Sequence, residues 1–212
     1  MGNRAVITTR ENFENNGVGI YLHWNGGRDS IEAFLKYCEL KGYRSPSDDC
    51  YGWSCLIMTI GNFFGTGMSI GIDTVNHLDM DNGDNGVYII DGWKIVDRVF
   101  FTGAEQKQYN LLEIVADINE CQPKKMQIPS ELLTAELIPT SDLKVGDKFF
   151  YRDNLRGMWS IMEVIGIGAD RVVNGHRVFG LPYMNLYGIN CPEDNCNNYI
   201  YDEMVYVPKR GE

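Results

Sequence analysis

Gly17-Val-Gly-Ile-Tyr-Leu-His-Trp-Asn-Gly-Gly-Arg-Asp-Ser-Ile-Glu-Ala-Phe-Leu-Lys-Tyr-Cys38 decides the fold class. Val18–Trp24 is rich in β-branched and aromatic residues and reads as a strand, and two glycines then turn the chain. Asp29 stands where an N-cap belongs and Glu32 follows three residues later, the spacing of a capping box. Ile31, Phe34, Leu35 and Cys38 recur at i, i+3, i+4 and i+7, so the segment predicts a helix with one apolar face. Gly42 is placed to end that helix in a left-handed conformation. A strand feeding a helix through a short polar loop points to an α+β protein, and it pins that loop between two rigid elements.

Working outward, Ala5–Thr9 reads as a preceding strand, joined to Val18–Trp24 by the polar turn Asn12–Gly17. A second helix is expected from near Ser47 to Phe64. Its middle, Trp53–Ile60, is apolar around most of its circumference, as a central core helix would be. Gly65–Gly86 is rich in Gly, Asp and Asn and reads as largely loop. Val87–Ile90 and Trp93–Val96 flank Asp91-Gly92, the pair that favours a type I′ hairpin turn. Asn110–Glu120 predicts a third helix, with Leu111, Leu112, Ile114, Val115 and Ile118 as its apolar set. Gln122 to about Thr140 reads as a connector carrying a short helix from Ser130. Beyond it the period shortens, and Lys148–Arg152, Trp159–Ile167, Arg171–Val173, His176–Leu181 and Tyr199–Val207 read as strands. Ser141–Asp147 is the turn that introduces them. The expected architecture is therefore an α+β domain over 1–138, a mixed sheet packed with three helices, followed by a small antiparallel β barrel or sandwich over 139–212.

The 212 residues carry a formal charge of −10, with 44% hydrophobic and 12% aromatic content, which argues for a globular chain and against disorder. Acidity is concentrated early: residues 1–120 hold 9 Lys and Arg against 17 Asp and Glu. Such a field repels phosphate backbones, so direct nucleic-acid binding is not expected, and it favours a partner with a basic surface. The apolar runs are far shorter than the ~20 residues of a membrane span, so no membrane role is expected. The Met-Gly-Asn-Arg-Ala-Val start has no apolar signal region, and Val6 departs from the myristoylation pattern. A cytoplasmic location is expected. There the six cysteines would stay reduced, with Cys38, Cys50 and Cys55 buried in helical patterns.

Candidate chemistry is sparse. The loop His23, Trp24, Asn25, Gly26, Gly27, Arg28 leads into a helix N-terminus, where free amides favour an anion and Arg28 would add a clamp. Asp29 and Glu32 oppose that, and the glycine spacing is not that of a nucleotide loop. Asp79, Asp81 and Asp84 sit in an Asp- and Asn-rich run. Counted from Asp79, the sixth position is Asp84 rather than Gly and the twelfth is Ile90 rather than Glu, so the EF-hand pattern fails. Cys191-Pro-Glu-Asp-Asn-Cys196 is half of a zinc pattern, with His176 and Cys121 as conceivable completing ligands, but a second close pair is missing. No resident metal or cofactor is therefore expected. His23, His77 and His176 are the candidate activators of Cys50, Cys55 or a serine nucleophile, yet no elbow or cysteine-protease signature accompanies them.

Gly2–Thr8 together with Ile20–Phe34, and further along Leu143–Lys148, resemble uncharacterised accessory proteins carried by bacteriophages and mobile elements of anaerobic gut Gram-positive bacteria. That family has no assigned activity, so the resemblance carries no catalytic residue to this chain. What it implies is a setting in which small acidic proteins inhibit host defences, anti-CRISPR proteins among them. The expectation is a non-enzymatic protein that binds a host nucleic-acid-handling complex through its basic groove, with the His23–Asp29 and Asp79–Asp84 loops as contacts. The alternative is an enzyme acting on a small molecule or nucleotide anchored by the His23–Arg28 loop. A third reading is a structural module that self-associates through its β part.

Overall fold

The computed structural model describes residues 2–65, 69–152, 159–167, 173–178, 196–199 and 204–209. The chain divides into two compact units, Met1–Gln127 and Ile128–Glu212. The division falls ahead of residue 138 because Glu136–Pro139 is a strand that pairs with Met204–Val207 and so belongs to the second sheet.

The first unit is built on five strands: β1 (Ala5–Thr9), β2 (Val18–Leu22), β3 (Ile70–Thr74), β4 (Val87–Asp91) and β5 (Lys94–Val99), in the order β3-β2-β1-β4-β5. β1 is parallel to β4, with Val6 beside Val87 and Thr9 beside Ile90, and every other neighbour is antiparallel. The sheet is therefore mixed, as expected. Helices α1 (Arg10–Glu14), α2 (Arg28–Lys41), α3 (Cys50–Phe64) and α4 (Leu111–Cys121) complete the unit.

Side chains alternate across this sheet. Val6, Val87 and Ile89 cluster on one face with Phe13 of α1 and with Leu78 and Met80 of the β3–β4 connection. Ala5, Ile7, Ile20, Leu22, Tyr88 and Ile90 alternate the other way and are wholly buried, as are Ile31, Phe34 and Leu35 of α2, Leu56 and Ile60 of α3, and Val115 and Ile118 of α4. Burying each large apolar side chain stabilises the unit by roughly 1.5–3 kcal/mol.

Several local expectations change. The β1–β2 link begins with α1 rather than an open turn, because the Thr9 hydroxyl accepts the Asn12 N–H and nucleates a helical turn. α2 starts two residues early, at Arg28 with Gly27 as N-cap, and no capping box forms: Asp29 accepts the N–H of Ser30 and Glu32 pairs with Arg28 instead. α3 is capped by Asp49, which accepts from Tyr51 and Gly52, while the Ser47 hydroxyl accepts the Gly92 N–H. Its exposed Tyr51 and Met58 show that α3 buries one face only. Cys50 is exposed and Cys55 half-buried, so of the three helical cysteines Cys38 alone is buried. Gly65–Gly86 is not all loop, since β3 and a turn of 3-10 helix lie within it. In the hairpin Asp91 pairs with Lys94, which makes Gly92-Trp93 the two-residue turn; Gly92 has φ 58° and Trp93 has no positive φ, so the turn is not type I′.

The second unit holds α5 (Ser130–Leu133) and one antiparallel sheet of β6 (Glu136–Pro139), β7 (Lys148–Arg152), β8 (Trp159–Ile167), β9 (Val173–Val178), β10 (Cys196–Tyr199) and β11 (Met204–Val207). Their order is β10-β9-β8-β7-β11-β6, and among the described residues no pairing of β10 with β6 closes it into a barrel. β9 runs unbroken where two shorter strands were expected. Leu143, Phe149, Met162, Val164, Val205 and Val207 form the core. Among the described residues no helix is long and apolar enough to cross a membrane.

Candidate docking end of the mixed sheet

Both loops singled out in the sequence lie at the same end of the five-stranded sheet, and the segment Asn3-Arg4 joins them. The Asn3 N–H donates to the His23 carbonyl at 3.2 Å, and the Gly26 N–H donates to the Asn3 carbonyl at 2.7 Å. On the other side the Asn85 N–H donates to the Arg4 carbonyl at 3.1 Å, and the Asn85 and Asn3 side chains are hydrogen-bonded. This end comprises the starts of β1, β3 and β4 and the ends of β2 and β5.

Within the His23–Arg28 loop the residues do different things. His23 and Trp24 are exposed, Trp24 by 44%, and their rings meet edge to face with centroids 5.2 Å apart. Asn25 takes a left-handed φ of 55°, a conformation Asn tolerates. Gly26 and Gly27 are buried rather than open to a ligand. A Cβ on Gly26 would stand 2.6 Å from the Asn3 carbonyl oxygen and 2.7 Å from the Ala5 Cβ, so glycine is needed there for the chain's own close approach to β1.

Arg28 does not join His23 and Trp24 as an anion clamp. Its Nε donates to Glu32 at 2.7 Å and its Nη1 lies 3.2 Å from Glu105. Burial disfavours its charge, but the bonds to Glu105 and Glu32 outweigh that and keep the guanidinium firmly protonated. Glu105 also accepts from Arg98 at 2.7 Å, while Arg98, only 7% exposed at its side chain, donates to the Asn85 carbonyl and amide oxygens and stacks on Phe101 and Tyr88. Burial pushes the Glu105 carboxyl up, and the two arginines together bring it below the ordinary glutamate value. The Tyr109 phenol donates to Glu32; burial first, and that bond second, push it up to about 12. Beneath the cluster the Tyr88 hydroxyl is buried with no hydrogen-bond partner among the described residues. The segment from Phe100 to Tyr109 is thus fastened over α2 and β5 by Glu105 and Tyr109.

The acidic run is likewise internally ordered. Asp84 accepts from both the Nε (2.7 Å) and the backbone N–H (3.1 Å) of Arg4, which hold its carboxyl below the usual range. Arg4 also lies 3.6 Å from Asp79, and Asp81 is exposed. Asn82, nearly buried, organises the turn: its Oδ1 accepts the N–H groups of Asp84, Asn85 and Gly86, and its Nδ2 donates to the carbonyls of Asp79 and Gly86. Among the described residues no three His, Cys, Asp or Glu side chains are grouped as a metal site. Cys191 lies outside the described residues. Cys196 stands opposite His176 in the β9–β10 register, and their side chains also fall outside the description.

Sequence reasoning missed Asn3, Arg4, Asn82, Arg98, Glu105 and Tyr109. Asn3, Arg4, Glu105 and Tyr109 reach partners about eighty positions away, Arg98 bonds Asn85 and Glu105 across the end of β5, and Asn82 organises a local turn; only the Asn-Gly-Asp-Asn-Gly run hinted at one of them. Two described cavities, of about 800 and 310 Å³, lie elsewhere and are not lined by His23, Trp24 or Arg28. Comparison of the chain with protein-family models, with curated proteins and with solved structures finds no match to any of the three.

Proposed function

We propose that this protein is a non-enzymatic, acidic binding protein of a phage or mobile element. In this reading it docks the described end of its mixed sheet onto a basic, nucleic-acid-handling surface of a host defence complex in the bacterial cytoplasm, in the manner of an anti-CRISPR protein. The supporting observation is the convergence of the two loops around an exposed Trp24. Asp29, Glu32, Asp79, Asp81, Asp84 and Glu105 lie at that end, and the arginines among them, Arg4, Arg28 and Arg98, are each already paired within the chain. An aromatic anchor amid surplus carboxylates suits a Lys- and Arg-lined groove, where the ring supplies buried area and the charges supply steering. The phage setting rests on the resemblance of Gly2–Thr8 and Ile20–Phe34.

The test is capture of partners from host bacterial lysate at low salt, elution at high salt and identification by mass spectrometry. A nuclease or other nucleic-acid effector in the high-salt eluate is the expected result. With the partner in hand, affinity should fall steeply with salt, and Trp24→Ala should weaken binding by at least about tenfold, the scale of a buried aromatic anchor. Affinity unchanged across a wide salt range would refute the electrostatic mechanism.

A further inference from the structure

The larger cavity, about 800 Å³, opens at the opposite end of the same sheet, beyond the C-terminal ends of the parallel neighbours β1 and β4. That is the place where open sheets with parallel strands leave a crevice, and the volume lies within the roughly 300–1,000 Å³ of small-molecule sites. Its walls are of two kinds. Val18, Trp53, Ile90 and Val96 give it an apolar side. Glu11 and Asp91, both exposed, line it without a partner among the described residues.

The remaining charges there are committed. Arg10 lines the cavity, but its guanidinium is bound at 2.6 Å by Asp97, which does not. Asp48 accepts from the backbone and hydroxyl of Ser45. Asp49 is bridged to Arg44 and caps α3, so the amides of Tyr51 and Gly52 that would otherwise receive an anion are already bonded. An anionic ligand therefore finds the Arg10 guanidinium and the Tyr51 and Gly52 amides already bonded, and it is repelled by two open carboxylates. A cation meets the reverse.

We propose that this cavity binds a small organic cation, a primary amine carried on an apolar or aromatic body. The ammonium sits toward Glu11 and Asp91, and the body packs toward Trp53 and the exposed Val96. This site is separate from the docking end and stands or falls independently of it.

Cys50, an exposed free thiol lining the cavity, provides the readout. The intact chain is titrated calorimetrically with 2-phenylethylamine and with phenylacetate, and peptide-resolved alkylation of Cys50 by iodoacetamide is timed with each. The amine should give saturable heat and slow Cys50 alkylation, and phenylacetate should do neither. Glu11→Gln and Asp91→Asn, surface changes that leave the core intact, should each weaken the amine several-fold, while Asp117→Asn, exposed on α4 and away from the cavity, leaves its affinity unchanged. The proposal is overturned if the amine gives no heat and no protection at millimolar concentration, or if phenylacetate matches it. It is equally overturned if Asp117→Asn weakens binding as much as Asp91→Asn, which would reduce the effect to net charge.

Discussion

Asn82→Ala tests whether one nearly buried amide holds the acidic loop in place. Three backbone N–H groups converge on its Oδ1, at 3.0 Å from Asp84, 3.1 Å from Asn85 and 3.1 Å from Gly86. They are not equivalent. The Asn85 N–H also donates to the Arg4 carbonyl and keeps that partner in the variant, and the Asp84 N–H, on a half-buried residue, can turn to water. The Gly86 N–H is buried beside β4, and it loses its acceptor outright. Leaving one buried donor unsatisfied costs about 1–3 kcal/mol, and the lost amide donations to the Asp79 and Gly86 carbonyls add about 1 kcal/mol. The expected destabilisation is therefore about 3 kcal/mol. It should be read both from urea unfolding and from amide exchange at Val87–Ile90, which reports the first unit by itself. Asp81→Ala, one position away and exposed, should change stability by less than about 0.5 kcal/mol. If Asn82→Ala costs no more than Asp81→Ala, the loop is not organised by this side chain.

Gly26→Ala should cost about 2 kcal/mol in the same exchange measurement, because the new methyl meets backbone at 2.6 Å; Gly27→Ala, whose nearest neighbour is the movable Asp29 carboxylate, should cost less, and the reverse order would contradict the packing. Acidification probes the Glu105 clamp. The folded carboxyl titrates below its ordinary 4.5, so its stabilisation is complete above that value and is lost as pH falls through the folded value. Urea midpoints should hold from neutrality down to 4.5 and then drop, with a smaller drop in Glu105→Gln; an identical acid limb in the variant would show that the clamp contributes nothing. Burial pushes the Cys38 thiol far above its ordinary value, so iodoacetamide should label Cys50 and Cys121 in the native chain and spare Cys38. Labelling of Cys38 as fast as Cys50 would mean that α2 is not packed as described.

The acidic end is organised before any partner arrives. Arg4, Arg28 and Arg98 spend their charge inside the chain, and the loops they fasten present Trp24, Asp79 and Asp81 outward from a rigid base. In the proposed docking, little conformational entropy would then be lost, which would favour affinity. The cavity at the far end gives the same unit a second, chemically distinct surface, so the two sites can be probed separately by calorimetry with an amine and by capture at low salt.

Local chemistry made the scaffold legible. The β-branched runs of β1, β2 and β4, the i, i+3, i+4 spacing of α2 and the apolar set of α4 are short-range signals, and they marked strands and helices within a few residues. The errors were local competitions as well: Thr9 capped a helix where a turn was expected, and Arg28 drew Glu32 away from a capping box. Positions 23–28 and 79–84 could be picked out as unusual from composition, but nothing in their spacing said that they meet. That meeting depends on β1 lying between β2 and β4, antiparallel to one and parallel to the other, which puts Asn3-Arg4 in bonding reach of both loops. Sheet order and long-range ion pairs such as Arg98–Glu105–Arg28 are set by which buried faces find each other, a property of the whole packed core that no window of neighbouring residues contains. The sequence alone thus determined the elements, the acidic balance and the polar loops; the tertiary structure decided which loops share an end, which charges are already paired, and where a cavity opens.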